Sequence, residues 1–135
     1  MTPPLPPLPE PGPDAREFWS GCRRHELRVQ RCQACRRVRF TPRPGCPWCG
    51  ALRFDWIAAS GRGRIVSWTV VHRPTLPAFD ALVPYAAALV QLEEGPFLVG
   101  QLRGCDPREI AAGMPVRVEF DDLTDDVSLP HWRVP

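Results

Sequence analysis

The chain has 135 residues, 44% of them hydrophobic, with six cysteines and a net charge of +2. That leaves room for one modest domain beside a small metal-bound module, and none for a large enzyme core. No run approaches eighteen apolar residues and no charged segment followed by an apolar stretch opens the sequence, so neither a membrane span nor a secretory signal is expected, and the protein should be soluble and cytoplasmic. The charge is unevenly divided: residues 1–64 hold twelve arginines and five acids, net +7, whereas residues 65–135 hold five arginines and ten acids, net −5. There is no lysine, so every cationic side-chain contact comes from guanidinium groups, which suit bidentate recognition of phosphate or carboxylate. A solvated arginine face accounts for the asymmetry equally well.

Residues 1–13 contain seven prolines and lack the backbone donors for a helix or a sheet, so a disordered leader is expected, with a polyproline ligand as the other reading. Asp14 is placed to cap a helix, with Glu17 in the capping-box position. The helix runs through Phe18 and Trp19 towards Gly21 and Cys22. It is too short to be stable alone, so these two aromatics must pack on the neighbouring module or on another chain. A short strand is expected over Glu26 to Arg31, and a returning one over Val38 to Phe40.

Between and beyond these strands lie Cys32-Gln-Ala-Cys35 and, ten residues later, Cys46-Pro-Trp-Cys49. Each Cys-x-x-Cys turns back so that both sulfurs face one point, and the intervening arm is long enough to bring the two pairs together. Four thiolates then surround one zinc ion. With every position taken by protein, none is left for water or substrate, which makes the zinc structural. Two disulfides or two redox pairs are disfavoured by the lack of a secretory signal and of a strand-to-helix setting.

From Phe54 onward the pattern changes to period two. Ile65 to His72 is apolar and β-branched, the mark of a central strand, and Trp68 is expected in the core. Tyr85 to Glu93 and Phe97 to Leu102 read as a hairpin around Glu94-Gly95-Pro96. Asp106 to Ile110 is a capped helical turn with Pro107 at its first position. Gly113 to Phe120 alternates, with Val116, Val118 and Phe120 inward, and a last strand covers Val127 to Arg133. Five strands with a short helix between the third and fourth match the OB barrel, and Gly61 and Gly63 suit its bulge and bend. The expected organisation is therefore mainly β: leader 1–13, helix and zinc ribbon 14–55, and five-stranded OB-fold barrel 56–135.

The Phe18-Trp19 helix, the cysteine quartet, Ser60-Gly-Arg-Gly63, Val66-Ser-Trp-Thr-Val-Val-His-Arg-Pro74, Val90-Gln-Leu-Glu-Glu-Gly95 and Gly113-Met-Pro-Val116 occur in the same order in a known group. On these residues the chain resembles the acyl-CoA-associated zinc-ribbon/OB-fold family from about Phe18 to Arg133. The resemblance implies a rubredoxin-like ribbon and an accessory subunit without its own active site, bound to a thiolase-like enzyme and sharing an acyl-CoA site with it. The setting it implies is lipid or steroid breakdown, or acyl transfer. Some relatives are fused to a hydratase-like domain; here any such protein is expected to be a separate polypeptide.

Candidate site residues follow from both lines of reading. The zinc ligands are Cys32, Cys35, Cys46 and Cys49. Arg62, Arg64, Arg73 and His72 flank the first barrel strand and are candidates for acyl-CoA, a strand-end histidine bonded to backbone being the readier explanation of His72. Phe18 and Trp19 are candidates for the partner contact. Cys105 reads as a small buried thiol. A stand-alone acyl-CoA binder is the alternative. A single-stranded nucleic-acid binder is a weaker one, since the barrel half is acidic where such proteins carry a basic groove.

Overall fold

The computed structural model describes residues 4–135. The expected leader falls partly outside this range; residues 4–12 form no helix or strand. A 3-10 turn at Pro13–Ala15 leads into α1, Arg16–Arg23. The capping box expected at Asp14 does not form. Pro13 starts the turn, so Asp14 is already inside it, and α1 is entered from Ala15 with no side-chain cap. Glu17 instead faces the guanidinium groups of Arg24 at 3.2 Å and Arg28 at 3.4 Å. The helix closes with His25 in the left-handed region (φ 59), while Glu26 N–H donates to Gly21 C=O and His25 N–H to Cys22 C=O. This is the usual glycine-type helix end with a histidine in the glycine's place.

Three short strands follow: β1 (Arg28–Cys32), β2 (Val38–Arg39) and β3 (Phe54–Ala58), antiparallel in the order β2-β1-β3. β3 pairs along its whole length with β1, from Cys32↔Phe54 to Arg28↔Ala58, so the ribbon sheet extends past the expected junction at 55/56. Inside the ribbon, the side-chain Oε1 of the buried Gln30 accepts from Arg39 Nε at 2.7 Å and from Arg43 N–H at 2.9 Å.

The second sheet is a closed barrel of β4 (Arg62–Val71), β5 (Tyr85–Leu92), β6 (Phe97–Arg103), β7 (Pro115–Asp122) and β8 (Ser128–Arg133), in the order β4-β5-β6-β8-β7. A 3-10 turn at Pro107–Glu109 separates β6 from β7, and Asp106 caps it by accepting from Arg108 N–H. The pairing of β6 with β8 is parallel, and β7 closes onto β4 at Arg62↔Arg117. This is the OB topology. Gly61 has φ +80, and a Cβ at Gly63 would lie 2.5 Å from Gln91 O, so β5 approaches there as only glycine permits. The bulge itself is further on, between Ile65 and Ser67.

Ile65, Val90, Leu98, Val116 and Trp132 fill the barrel and are continuous with Phe18, Cys22, Leu27 and Val29 of the helix and ribbon. Trp68 is not among them. Pairing with β7 ends at Arg64, so among the described residues the rest of β4 has a strand neighbour on one side only, and Trp68 remains 37% exposed. The apolar pattern of this strand reflects a β conformation, not two-sided burial.

Candidate metal centre and barrel-mouth arginines

The two Cys-x-x-Cys turns are built alike. In the first, Arg36 N–H donates to Cys32 C=O and Cys32 N–H to Arg37 C=O; in the second, Gly50 N–H donates to Cys46 C=O and Cys46 N–H to Ala51 C=O. Each ends on a left-handed residue, Arg36 (φ 69) and Gly50 (φ 77). The result brings all four Sγ atoms within 4.8 Å of one another, with Cys32–Cys49 and Cys35–Cys46 both 3.6 Å apart. Sulfurs at the corners of a zinc tetrahedron with bonds of about 2.3 Å stand about 3.8 Å apart, so the donor set fits zinc.

None of the four is disulfide-bonded. Ala34 and Cys35 N–H groups point at Cys32 Sγ, each at 3.4 Å, and the Cys35 N–H leads in holding that thiol below its ordinary pKa. Burial opposes the Cys46 thiolate, but the N–H groups of Cys49 and Trp48 outweigh it and bring the thiol down to about 6. Cys49 goes the other way: the Ala51 N–H favours its thiolate, yet burial and the facing cysteines hold it up at about 11. Metal-free, the cluster thus keeps protons that a dication displaces. The chain holds one structural zinc.

The four residues read as acyl-CoA contacts do not converge. Arg62 and Arg64 stand at the start of β4, and His72 and Arg73 just beyond its end, about 30 Å away along an extended strand. Arg62 is held by Glu93 at 2.9 Å, and Arg64 donates to Gly113 C=O at 2.9 Å. Both line an open depression of about 840 Å³ with Arg117, which lies directly across from Arg62. The strand pattern marks Arg117 as outward, but only the β4–β7 register reveals its neighbours. His72 and Arg73 are exposed.

Phe18 is corrected from a partner contact to a core residue: it is 4% exposed and packs 5.0 Å from both Trp19 and Phe40. The short helix spends Phe18 on its own fold. Trp19, half-buried, borders an apolar groove with Phe40, Phe97, Val99 and Pro130.

Cys22, Cys105 and Ser128 sit in structural settings. Burial pushes the Cys22 thiol up to about 12, and that of Cys105 is raised by burial and by Glu109 and Asp106. Ser128 Oγ and His25 Nε2 both meet the Asp122 carboxylate, His25 at 2.8 Å. With the carboxylate in the middle, the imidazole cannot take the serine proton.

A polar network on the outer face of β6, β7 and β8 escaped sequence reasoning, because its members come from three strands. Arg103 donates to Asp121, Arg133 donates to Glu119, and the buried His131 ring lies 3.3 Å from Glu119 and 3.6 Å from Asp121. Burial first, and the nearby Arg103 second, lower the His131 pKa. A histidine whose folded pKa is depressed contributes stability above its unfolded pKa of about 6.5, and this is lost as pH falls through the folded value. The four zinc thiolates regain protons on unfolding and make melting temperature fall with pH from about 8 downward, and His131 should steepen that fall below about 6.5. His131→Gln should flatten that part of the profile; an unchanged slope would refute the assignment.

Residues 19–55 match the family described as ChsH2, rubredoxin-like zinc ribbon domain, and residues 56–121 match ChsH2, C-terminal OB-fold domain. A solved structure, the Ltp2-ChsH2(DUF35) aldolase, superimposes with a TM-score of 0.85 at 37% identity, over 93% of this chain and 98% of that one. The chain belongs to the DUF35 family of zinc-ribbon/OB-fold proteins. A DUF35 domain-containing scaffold protein of Pyrococcus furiosus is 42% identical over 62% of this chain and 65% of its own length. The 3-oxo-4,17-pregnadiene-20-carboxyl-CoA hydratase alpha subunit of Mycobacterium tuberculosis is 41% identical over 89% of this chain and 37% of its own length. The DUF35 chain thus spans little more than a third of the hydratase alpha subunits it matches. Among the described residues no helix is long and apolar enough to cross a membrane.

Proposed function

We propose that this DUF35 protein is a non-catalytic accessory subunit in the cytoplasm, which binds a thiolase-like enzyme and forms one wall of its acyl-CoA site. The observation that carries this reading is the likeness over nearly the whole chain to the DUF35 member named in the Ltp2-ChsH2(DUF35) aldolase. The scaffold name of the Pyrococcus relative supports it, and the hydratase name of the Mycobacterium relative supports a lipid or steroid setting with a hydratase-like protein as a further partner. The DUF35 chain contributes shape and charge, and the partner supplies nucleophile and base.

Within this reading Arg62, Arg64 and Arg117 meet the CoA phosphates, because guanidinium groups suit bidentate phosphate contacts. His72 and Arg73 stand too far off to join them. Arg64→Glu should raise the KM of the assembled enzyme for acyl-CoA about tenfold with kcat nearly unchanged, the sign of lost ground-state binding. Arg73→Glu should leave both constants in place. Equal effects of the two variants would remove the arginines from the site.

The deciding experiment is affinity purification of the chain from its native cells, with co-purifying proteins identified and zinc assayed in the same eluate. A thiolase-like protein in near-equal amount supports the subunit reading, and its substrate names the acyl group. Zinc-loaded protein recovered alone, and binding acyl-CoA in titration, would favour the second reading, a stand-alone acyl-CoA binder, which the same three arginines support.

A further inference from the structure

The barrel seam closes only along part of β4. Pairing with β7 covers Arg62 to Arg64, and Ile65 adds hydrogen bonds to Gly113 and Met114. From Val66 to Val71 the strand continues with β5 on one side and, among the described residues, no strand on the other. Such a strand offers unpaired N–H and C=O groups to that side over about 20 Å. Soluble proteins usually blunt an open edge with charge, proline or a covering segment. Here Ile65 to Val71 contains neither charge nor proline, and Val66 is 43% exposed.

An apolar face adjoins this edge. Leu89 lies across from Ser67 on β4 and from Val99 on β6, and Val99 is 62% and Phe97 46% exposed. Edge and face belong to one side of one sheet.

We propose that the open edge of β4 at Val66–Val71, with the Leu89–Val99–Phe97 face beside it, docks the partner enzyme, which adds an extended, uncharged segment to the sheet. This rests on the accessory-subunit reading above. A second copy of the chain fits poorly. Two copies paired antiparallel along this edge are related by an axis perpendicular to the sheet, so their apolar faces point the same way and stay open. Six residues of edge also fall well short of the roughly 800 Å² per partner that a stable interface covers. A different polypeptide supplies a strand and the surface next to it together, with main-chain bonds at the edge and side-chain contacts on the face.

The test uses the full chain expressed together with the thiolase-like protein recovered in the purification above. Complex formation is scored first by native mass spectrometry, and amide hydrogen exchange is then compared between the free and bound chain. Amides of residues 66–71 should slow about tenfold or more on binding. The V66K/T69K double variant, which alters two exposed side chains, should keep its zinc and bind about tenfold more weakly. A stable complex with unchanged exchange at 66–71 and wild-type affinity for the double variant would overturn the edge assignment and leave the subunit reading standing. Absence of any complex would overturn both. A dimer of the chain alone that V66K/T69K dissociates would overturn the assignment to a partner enzyme.

Discussion

Cys32→Ser and Cys49→Ser should each release the zinc, collapse the ribbon and abolish the complex with the partner enzyme. The ribbon sheet has one strand of five residues paired to one of two and another of five, far too little buried surface to fold unaided. Structural zinc in comparable modules contributes an apparent 10–16 kcal/mol, roughly the whole folding free energy of such a unit. One oxygen in place of sulfur leaves three soft ligands and a poor fourth, and the metal's hold weakens by orders of magnitude. Zinc assay, far-UV circular dichroism and co-purification read the three consequences separately. A serine variant that loses its metal yet keeps the complex would show that docking does not depend on the ribbon.

The second large effect is expected at Trp132→Ala, at about 3–5 kcal/mol of stability, the range for truncating a large buried aromatic side chain. Trp132 is 1% exposed, sits against Gly100 so closely that a Cβ there would lie 3.1 Å from the ring, and donates its Nε1–H to Leu98 C=O at 3.2 Å. Truncation removes the side chain at the centre of the barrel and leaves a buried carbonyl without its donor. Trp132→Phe keeps most of the volume and loses the hydrogen bond, so it should cost about 1–3 kcal/mol. Urea unfolding of the zinc-loaded protein measures both. A cost below about 1 kcal/mol for the alanine variant would mean that the barrel core collapses around the gap.

What the sequence made legible is what local spacing dictates. Two Cys-x-x-Cys turns and the arm between them specify the metal site, and β-branched runs divided by glycine and proline place the five barrel strands in order. The failures came where distant pairing decides. Nothing local to Trp68 says that β7 stops at Arg64, so an apolar strand looked buried on both sides. Phe18 and Trp19 are neighbours in one helix, and only the packed ribbon shows that Phe18 turns in while Trp19 stays at the surface. The separation of Arg62 and Arg64 from His72 and Arg73 was within reach, because a strand of that length places its ends far apart. At Asp14 the local signal was present but overridden, since Pro13 begins a 3-10 turn one residue earlier. The Arg103–Asp121–His131 network, made across three strands, leaves no mark in any one of them.

The continuous core shared by ribbon and barrel gives zinc an influence beyond its own ligands. Phe18, Cys22, Leu27 and Val29 are buried in the same cluster as Ile65, Val90 and Trp132, so the two modules cannot unfold independently without exposing apolar surface. Free metal concentration then enters the stability of the whole chain by mass action, each tenfold rise above the dissociation constant adding about 1.4 kcal/mol. Under this linkage the abundance of folded protein follows the cell's zinc supply, and metal starvation depletes the barrel together with the ribbon.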